Sequence, residues 1–205
     1  MKKIEDWENV KSSEMGEPFV LGGKKCKIVN VKPFTYDGKD KISLELDIIE
    51  GDNVGYFQKK YDDKDENSKY WDDGATISFP VEPETDQEKS YFKGLITAIE
   101  SYNSNFKWEW DETKLKGLYI NVNFSLKEYK GNDGNTYTKP QVSRFLNSKD
   151  NFKENYIPSV RKLDNSFVKY EDYIKNKPTA TQTKATSTTN DDALEIELTD
   201  EEMPF

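Results

Sequence analysis

The clearest signal in the chain is an alternation of apolar and polar residues that stops and restarts at glycine. Leu118, Ile120, Val122, Phe124 and Leu126 alternate with Tyr119, Asn121, Asn123, Ser125 and Lys127, the period-two pattern of a half-buried strand. Gly131-Asn132-Asp133-Gly134-Asn135 turns the chain, and Tyr137 to Leu146 returns as the partner strand. Earlier, Ile42, Leu44, Leu46 and Ile48 alternate with Ser43, Glu45 and Asp47. The Asp37-Gly38 turn joins them to a strand over residues 24–34 that carries Cys26, Ile28 and Val31. Residues 55–61, with rings and lysines interleaved, predict a third strand, and residues 75–81 a short one ending at Pro80. The period changes to 3.6 once. Thr85 and Glu88 have the spacing of a capping box, and Tyr91, Phe92, Leu95, Ile96, Ile99 and Tyr102 follow as an apolar stripe.

The order is strands, one helix, then a hairpin: mainly β with one helix, α+β in class. A five-stranded barrel with its helix between the third and fourth strands has this order, which is that of the OB-fold. The expected organisation is a polar N-terminal arm (1–17), the OB-fold domain (18–150), a peripheral extension (151–177), a disordered linker (178–190) and an acidic tip (191–205). Residues 178–190 hold no Ile, Leu, Val or aromatic residue, so they cannot bury enough apolar surface to offset the entropy of ordering.

Charge changes the picture next. The formal net charge is −9, but residues 178–205 contribute seven acids against the single Lys184, so the body is closer to neutral. Twelve Tyr, eleven Phe and four Trp on such a charged chain suit a surface that stacks rings and holds phosphates. There is no histidine, which excludes His-based acid–base and nucleophilic chemistry and most zinc sites. With Cys26 alone no intrachain disulfide forms, and no apolar run is long enough for a signal-peptide core or a membrane span. These features predict a protein of the cytoplasm, with no membrane contact, no cofactor and no metal. The acidic stretch Asp62, Asp63, Asp65, Glu66, Asp72 and Asp73 lacks the spacing of a calcium loop, so a solvated loop is expected.

Rings and cations lie together in three places, and these form the expected nucleic-acid surface. Lys24, Lys25, Lys27 and Lys32 make an acid-free first strand that ends in Phe34 and Tyr36. Tyr56, Lys59, Lys60 and Tyr61 share the third segment. Lys127, Tyr129, Lys130, Tyr137, Lys139 and Arg144 belong to the hairpin. Stacking of bases on such rings contributes ~1–3 kcal/mol each, and lysine neutralises phosphate. Each residue also has a plainer reading, as core or as a solvated strand face.

The chain closes on Asp200-Glu201-Glu202-Met203-Pro204-Phe205, acids followed by a proline-fixed aromatic. This ending resembles the C-terminal tip of bacterial and phage single-stranded DNA-binding proteins, although Glu stands for most of the Asp and Met precedes the Pro. Residues 91–117 and the following Glu128-to-Gly134 stretch are similar to OB-like proteins from the replication modules of phages of Gram-positive bacteria. The resemblance implies a non-enzymatic protein that coats single-stranded DNA in phage replication and recombination. It further implies a tip, Asp200 to Phe205, that recruits replication or recombination enzymes in the host bacterial cytoplasm. Two other classes fit the residues: an inhibitor whose acidic tail mimics DNA, and a Mg²⁺-dependent nuclease using the acidic loops. The sequence leaves oligomeric state open, a homo-oligomer included.

Overall fold

A computed structural model describes residues 18–147 and 156–176. The chain opens with a long meander: β1 (Gly22–Tyr36), β2 (Lys39–Ile48) and, after an excursion, β3 (Thr76–Pro80). The β1–β2 turn is the expected one. Asp37 and Gly38 both take positive φ, 53° and 70°, the geometry that matches the twist of a two-residue hairpin. The excursion holds α1 (Tyr56–Asp62) and a 3-10 turn at Asp73–Ala75. The helix α2 (Asp86–Tyr102) follows β3, then the hairpin β4 (Tyr119–Lys130) and β5 (Thr136–Leu146). The capping box of α2 is formed: Thr85 accepts from the Glu88 amide, and Glu88 accepts from that of Thr85. Leu95, Ile96, Ala98 and Ile99 of α2 are buried with Ile28, Leu44, Leu46, Ile77, Phe79, Ile120, Val122 and Phe124 of the strands in one core.

The sheet is open and seven-stranded, and this corrects the expected closed barrel of five. Hydrogen bonding runs β3-β2-β1-β4, with β5 on the far edge of β4. No ladder joins β3 to β5. Their separation leaves a cavity between Thr76–Ser78 and Val142–Phe145, bordered by Tyr91 and Gly94 of α2. The two edges come closest where the 3-10 turn touches β5. A Cβ on Gly74 would lie 2.0 Å from the Pro140 carbonyl oxygen, so only glycine fits there.

Two further differences have physical causes. Residues 55–61 form α1 and not a strand. Gly55 enters in the left-handed region, φ 71°, and Asp47 of β2 accepts from the amides of Phe57 and Gln58 at 3.1 and 3.3 Å. A carboxylate distant in sequence thus caps the helix start, and Phe57 turns into the core. Second, residues 156–176, expected as a peripheral extension, supply β6 (Ser159–Arg161), β7 (Phe167–Lys169) and α3 (Tyr170–Lys175). The strand β6 pairs parallel with β4 at Leu126 and Lys127, and its Val160 is fully buried. Among the described residues the expected single helix is therefore three α-helices, two of them short.

Burial also marks two titratable groups. It pushes the Cys26 thiol far above its ordinary value, with the Asp47 carboxylate adding to the shift. It raises the Asp47 carboxyl too, against the pull of the Gln58, Ile48 and Phe57 amides. A carboxyl raised on folding favours the fold most when protonated, and that contribution is lost as pH rises through its folded value. Asp47→Asn keeps an acceptor and sheds the desolvated charge, so at neutral pH it should be as stable as the native protein or more so. Asp47→Ala removes the cap and should cost about 1–2 kcal/mol. Denaturant midpoints compare the two; an Asn variant as damaged as the Ala variant would show that the charge itself holds α1.

Candidate nucleic-acid interface

Strand register decides which of the expected residues share a surface. On β4 the side chains of Ile120, Val122 and Phe124 enter the core, so Tyr119, Asn121, Asn123, Ser125, Lys127 and Tyr129 point to the other face. Across the ladder, Tyr129 faces Tyr137 and Lys127 faces Lys139. On its other edge Lys127 faces Arg161 of β6, and Arg161 faces Phe167 of β7. A single row across four strands therefore reads Lys139, Lys127, Arg161, Phe167, with the Tyr129–Tyr137 pair alongside. Adjacent strands stand about 4.8 Å apart, so three cations crowd into ~10 Å. Like charges directly opposite one another destabilise a sheet unless an anion sits among them.

The rings beside this row are available. Tyr129 and Tyr137 lie 5.8 Å apart at 32°, and each is about two-fifths exposed; Phe167 is two-thirds exposed. Lys139 sits 5.5 Å from the centre of the Tyr129 ring. The hairpin tip is fixed from within. The Tyr137 hydroxyl donates to Asp133 at 2.6 Å, which depresses the Asp133 carboxyl and raises the Tyr137 phenol. Lys130 donates to Thr136 Oγ1 and the Gly134 carbonyl.

Next to the hairpin stand α1 and the 3-10 turn. Helical spacing puts Lys60 over the Tyr56 ring at 5.4 Å, and Lys60 pairs with Asp72 at 2.7 Å. Asp72 also caps the turn by accepting from Gly74. Burial opposes the Asp72 charge, but Lys60, the Gly74 amide and the Lys139 charge outweigh it and hold the carboxyl below its ordinary value. Asp73 pairs with Lys139. Two of the expected phosphate ligands, Lys60 and Lys139, thus already hold carboxylates. Tyr61 packs on Trp71 at 5.5 Å, and Lys59 is exposed in the last turn of α1.

The remaining expected residues divide. Lys25 and Lys27 lie on the outer face beside Asn121 and Tyr119, and Arg144 lies there beside Asn123. Lys25 reaches Glu50 at 3.1 Å and the Tyr119 ring at 6.0 Å. Lys24 faces inward, is 6% exposed, and donates to the Asp52 carbonyl at 3.1 Å, so its role is in the fold. Lys32 pairs with the buried Glu45 at 2.7 Å. Phe34 and Tyr36 lie at the opposite end of β1 from the cation row. Gly22 of β1 faces Phe124, short of Lys127 on β4, whereas Phe34 and Tyr36 face Lys41 and Lys39 at the β1–β2 turn. The tip residues Asp200, Glu201, Glu202, Met203, Pro204 and Phe205 lie outside the described residues, as does the linker.

Arg161 and Phe167 were missed by sequence reasoning. The signal was weak: β6 and β7 are three residues each, too short for a period. Among the described residues no three His, Cys, Asp or Glu side chains converge as metal ligands, and no helix is long and apolar enough to cross a membrane. No protein-family model matches the chain, and no curated protein matches it either.

Because Asp72 is depressed by its partners, the pair contributes stability above the ordinary carboxylate range and loses it as pH falls through the folded value. Lys60→Ala should therefore cost about 1–2 kcal/mol at neutral pH and close to nothing at acid pH, where Asp72 is protonated in both proteins. Denaturation at the two pH values checks this; a cost independent of pH would assign the loss to packing of the lysine stem.

Proposed function

We propose that this chain is a non-enzymatic single-stranded DNA-binding protein. The observation that carries the reading is the row Lys139–Lys127–Arg161–Phe167 with Tyr129 and Tyr137 beside it: three cations on adjacent strands, one of them paired with Asp73, next to flat rings that face solvent. An unstacked strand offers both partners at once, phosphates for the row and bases for the rings. A duplex hides its bases, so the rings gain nothing from it. The connection order, a meander, a helix and a hairpin, is that of oligonucleotide-binding OB-folds, and it supports the reading without requiring the sheet to close. Asp72 and Asp73 hold Lys60 and Lys139 in place until phosphate displaces them. The acidic tip, through Asp200 to Phe205, is the recruiting segment for replication or recombination enzymes, with Phe205 as its anchor.

Binding to oligothymidylate is expected to exceed binding to duplex of equal length and to weaken steeply with salt. Tyr129→Ala, Tyr137→Ala and Phe167→Ala should each lose about 1–3 kcal/mol of affinity while melting as the native protein does. Lys127→Ala and Arg161→Ala should each flatten the salt dependence by about 0.7 in log–log slope. Fluorescence anisotropy over a salt series measures all of these, and equal affinity for duplex and single strand would sink the proposal.

Deleting residues 191–205 should leave DNA affinity unchanged or raise it, most visibly at low salt. Removing Phe205 alone should abolish enzyme recruitment and leave DNA affinity as it was. Paired anisotropy and pull-down measurements on the three proteins decide; weaker DNA binding after the deletion would place the tail in the DNA surface.

A further inference from the structure

Beside the β1–β2 turn, at the opposite end of β1 from the cation row, lies a second patch. Trp110 is 79% exposed and sits at φ 62°, a left-handed backbone that costs a non-glycine residue ~1–2 kcal/mol. Its ring is propped by Phe92 and Trp108, with centroids at 6.3 and 6.1 Å, and Phe92 leads on through Phe79 into the core. Nearby, Phe34 and Val81 line a shallow hollow shared with Glu112. The charge here is acidic. Glu82, Glu84, Asp86 and Glu88 lie within one short stretch that holds no base, and Glu109, Asp111 and Glu112 flank Trp110. Lys39 pairs with Glu84 and Lys114 with Glu109, and among the described residues the other five carry no lysine partner of that kind. A strained, exposed indole flanked by Glu109, Asp111 and Glu112 does not suit phosphate. It suits a surface that offers cations beside flat rings.

This chain possesses such a surface, at its other end. Carboxylates around an indole present the same chemistry as phosphates around bases: anions flanking a flat ring. We infer that the Trp110 end of one copy docks on the Lys139–Lys127–Arg161 row of a second copy. The two patches differ in sequence and lie beyond opposite ends of β1, so the contact is head-to-tail and does not close on itself as a two-fold dimer does. Assembly then grows with concentration, falls with salt, and competes with any polyanion for the row. The inference needs the cation row but not DNA binding, so assembly of the protein alone tests it separately from the function proposed above.

Sedimentation of the full-length protein at low salt provides the test, with two variants. Trp110→Gly removes the ring and relieves the backbone, so it folds; Arg161→Glu reverses one charge of the row at a half-buried position of β6. The native protein should show an average mass that rises with concentration past the dimer. Each variant alone should associate at least about tenfold more weakly, a typical loss for a central anchor. An equimolar mixture of the two should form dimers and nothing longer, because each variant retains the surface that the other lacks. A native protein that stays monomeric up to its solubility limit overturns the inference. So do variants that assemble like the native protein, a mixture that does not pair, or quenching of Trp110 by oligothymidylate in the Arg161→Glu variant, which would place nucleic acid at the acidic end.

Discussion

The strand β4 is the constraint on which the rest depends. It is bonded on both edges, to β1 and then β6 along one and to β5 along the other. Its side chains from Ile120 to Ser125 are buried on both faces. Every residue of the cation row is placed relative to it. A one-residue slip of β4 would carry Phe124 outward and Lys127 inward, losing core and interface together. The register is pinned by the bulge opposite Asn123 and Phe124, and by Gly117, whose amide donates to the Ile28 carbonyl at the entry to the strand.

Much of the fold was legible because its long elements repeat a period several times. The β1–β2 and β4–β5 hairpins, the α2 stripe and the Thr85–Glu88 box each rest on local chemistry that no distant contact overrides. Residues 55–61 failed for the opposite reason. Seven residues fit either period, and the deciding group, Asp47, arrives from a strand outside the window. Closure of the sheet was equally hidden. The approach of the Asp73–Ala75 turn to Pro140, which needs a residue without a Cβ at position 74, joins segments more than sixty residues apart and has no local period.

The candidate surface was legible as residue types and not as an arrangement. Tyr129, Tyr137, Lys127 and Lys139 were found because a hairpin forces them opposite one another. Arg161 and Phe167 join them only through a parallel pairing more than thirty residues along the chain. Lys24 shows the converse. Its composition suggested a phosphate ligand, yet its place in the alternation with Cys26 and Ile28 turns it inward, where Asp52 satisfies it. Phe34 and Tyr36 sit on β1 as well, at its opposite end from the cation row.

Cys26 is the only thiol of the chain, has no exposed surface, and sits where β1 meets both β2 and β4. A thiolate cannot form there while those ladders stand, since burial disfavours the charge and Asp47 repels it. Alkylating reagents therefore meet this protein as though it had no cysteine, until the ladders part. The rate at which the thiol is consumed becomes a clock for the opening of the central sheet, readable without a label and indifferent to what happens at the surface.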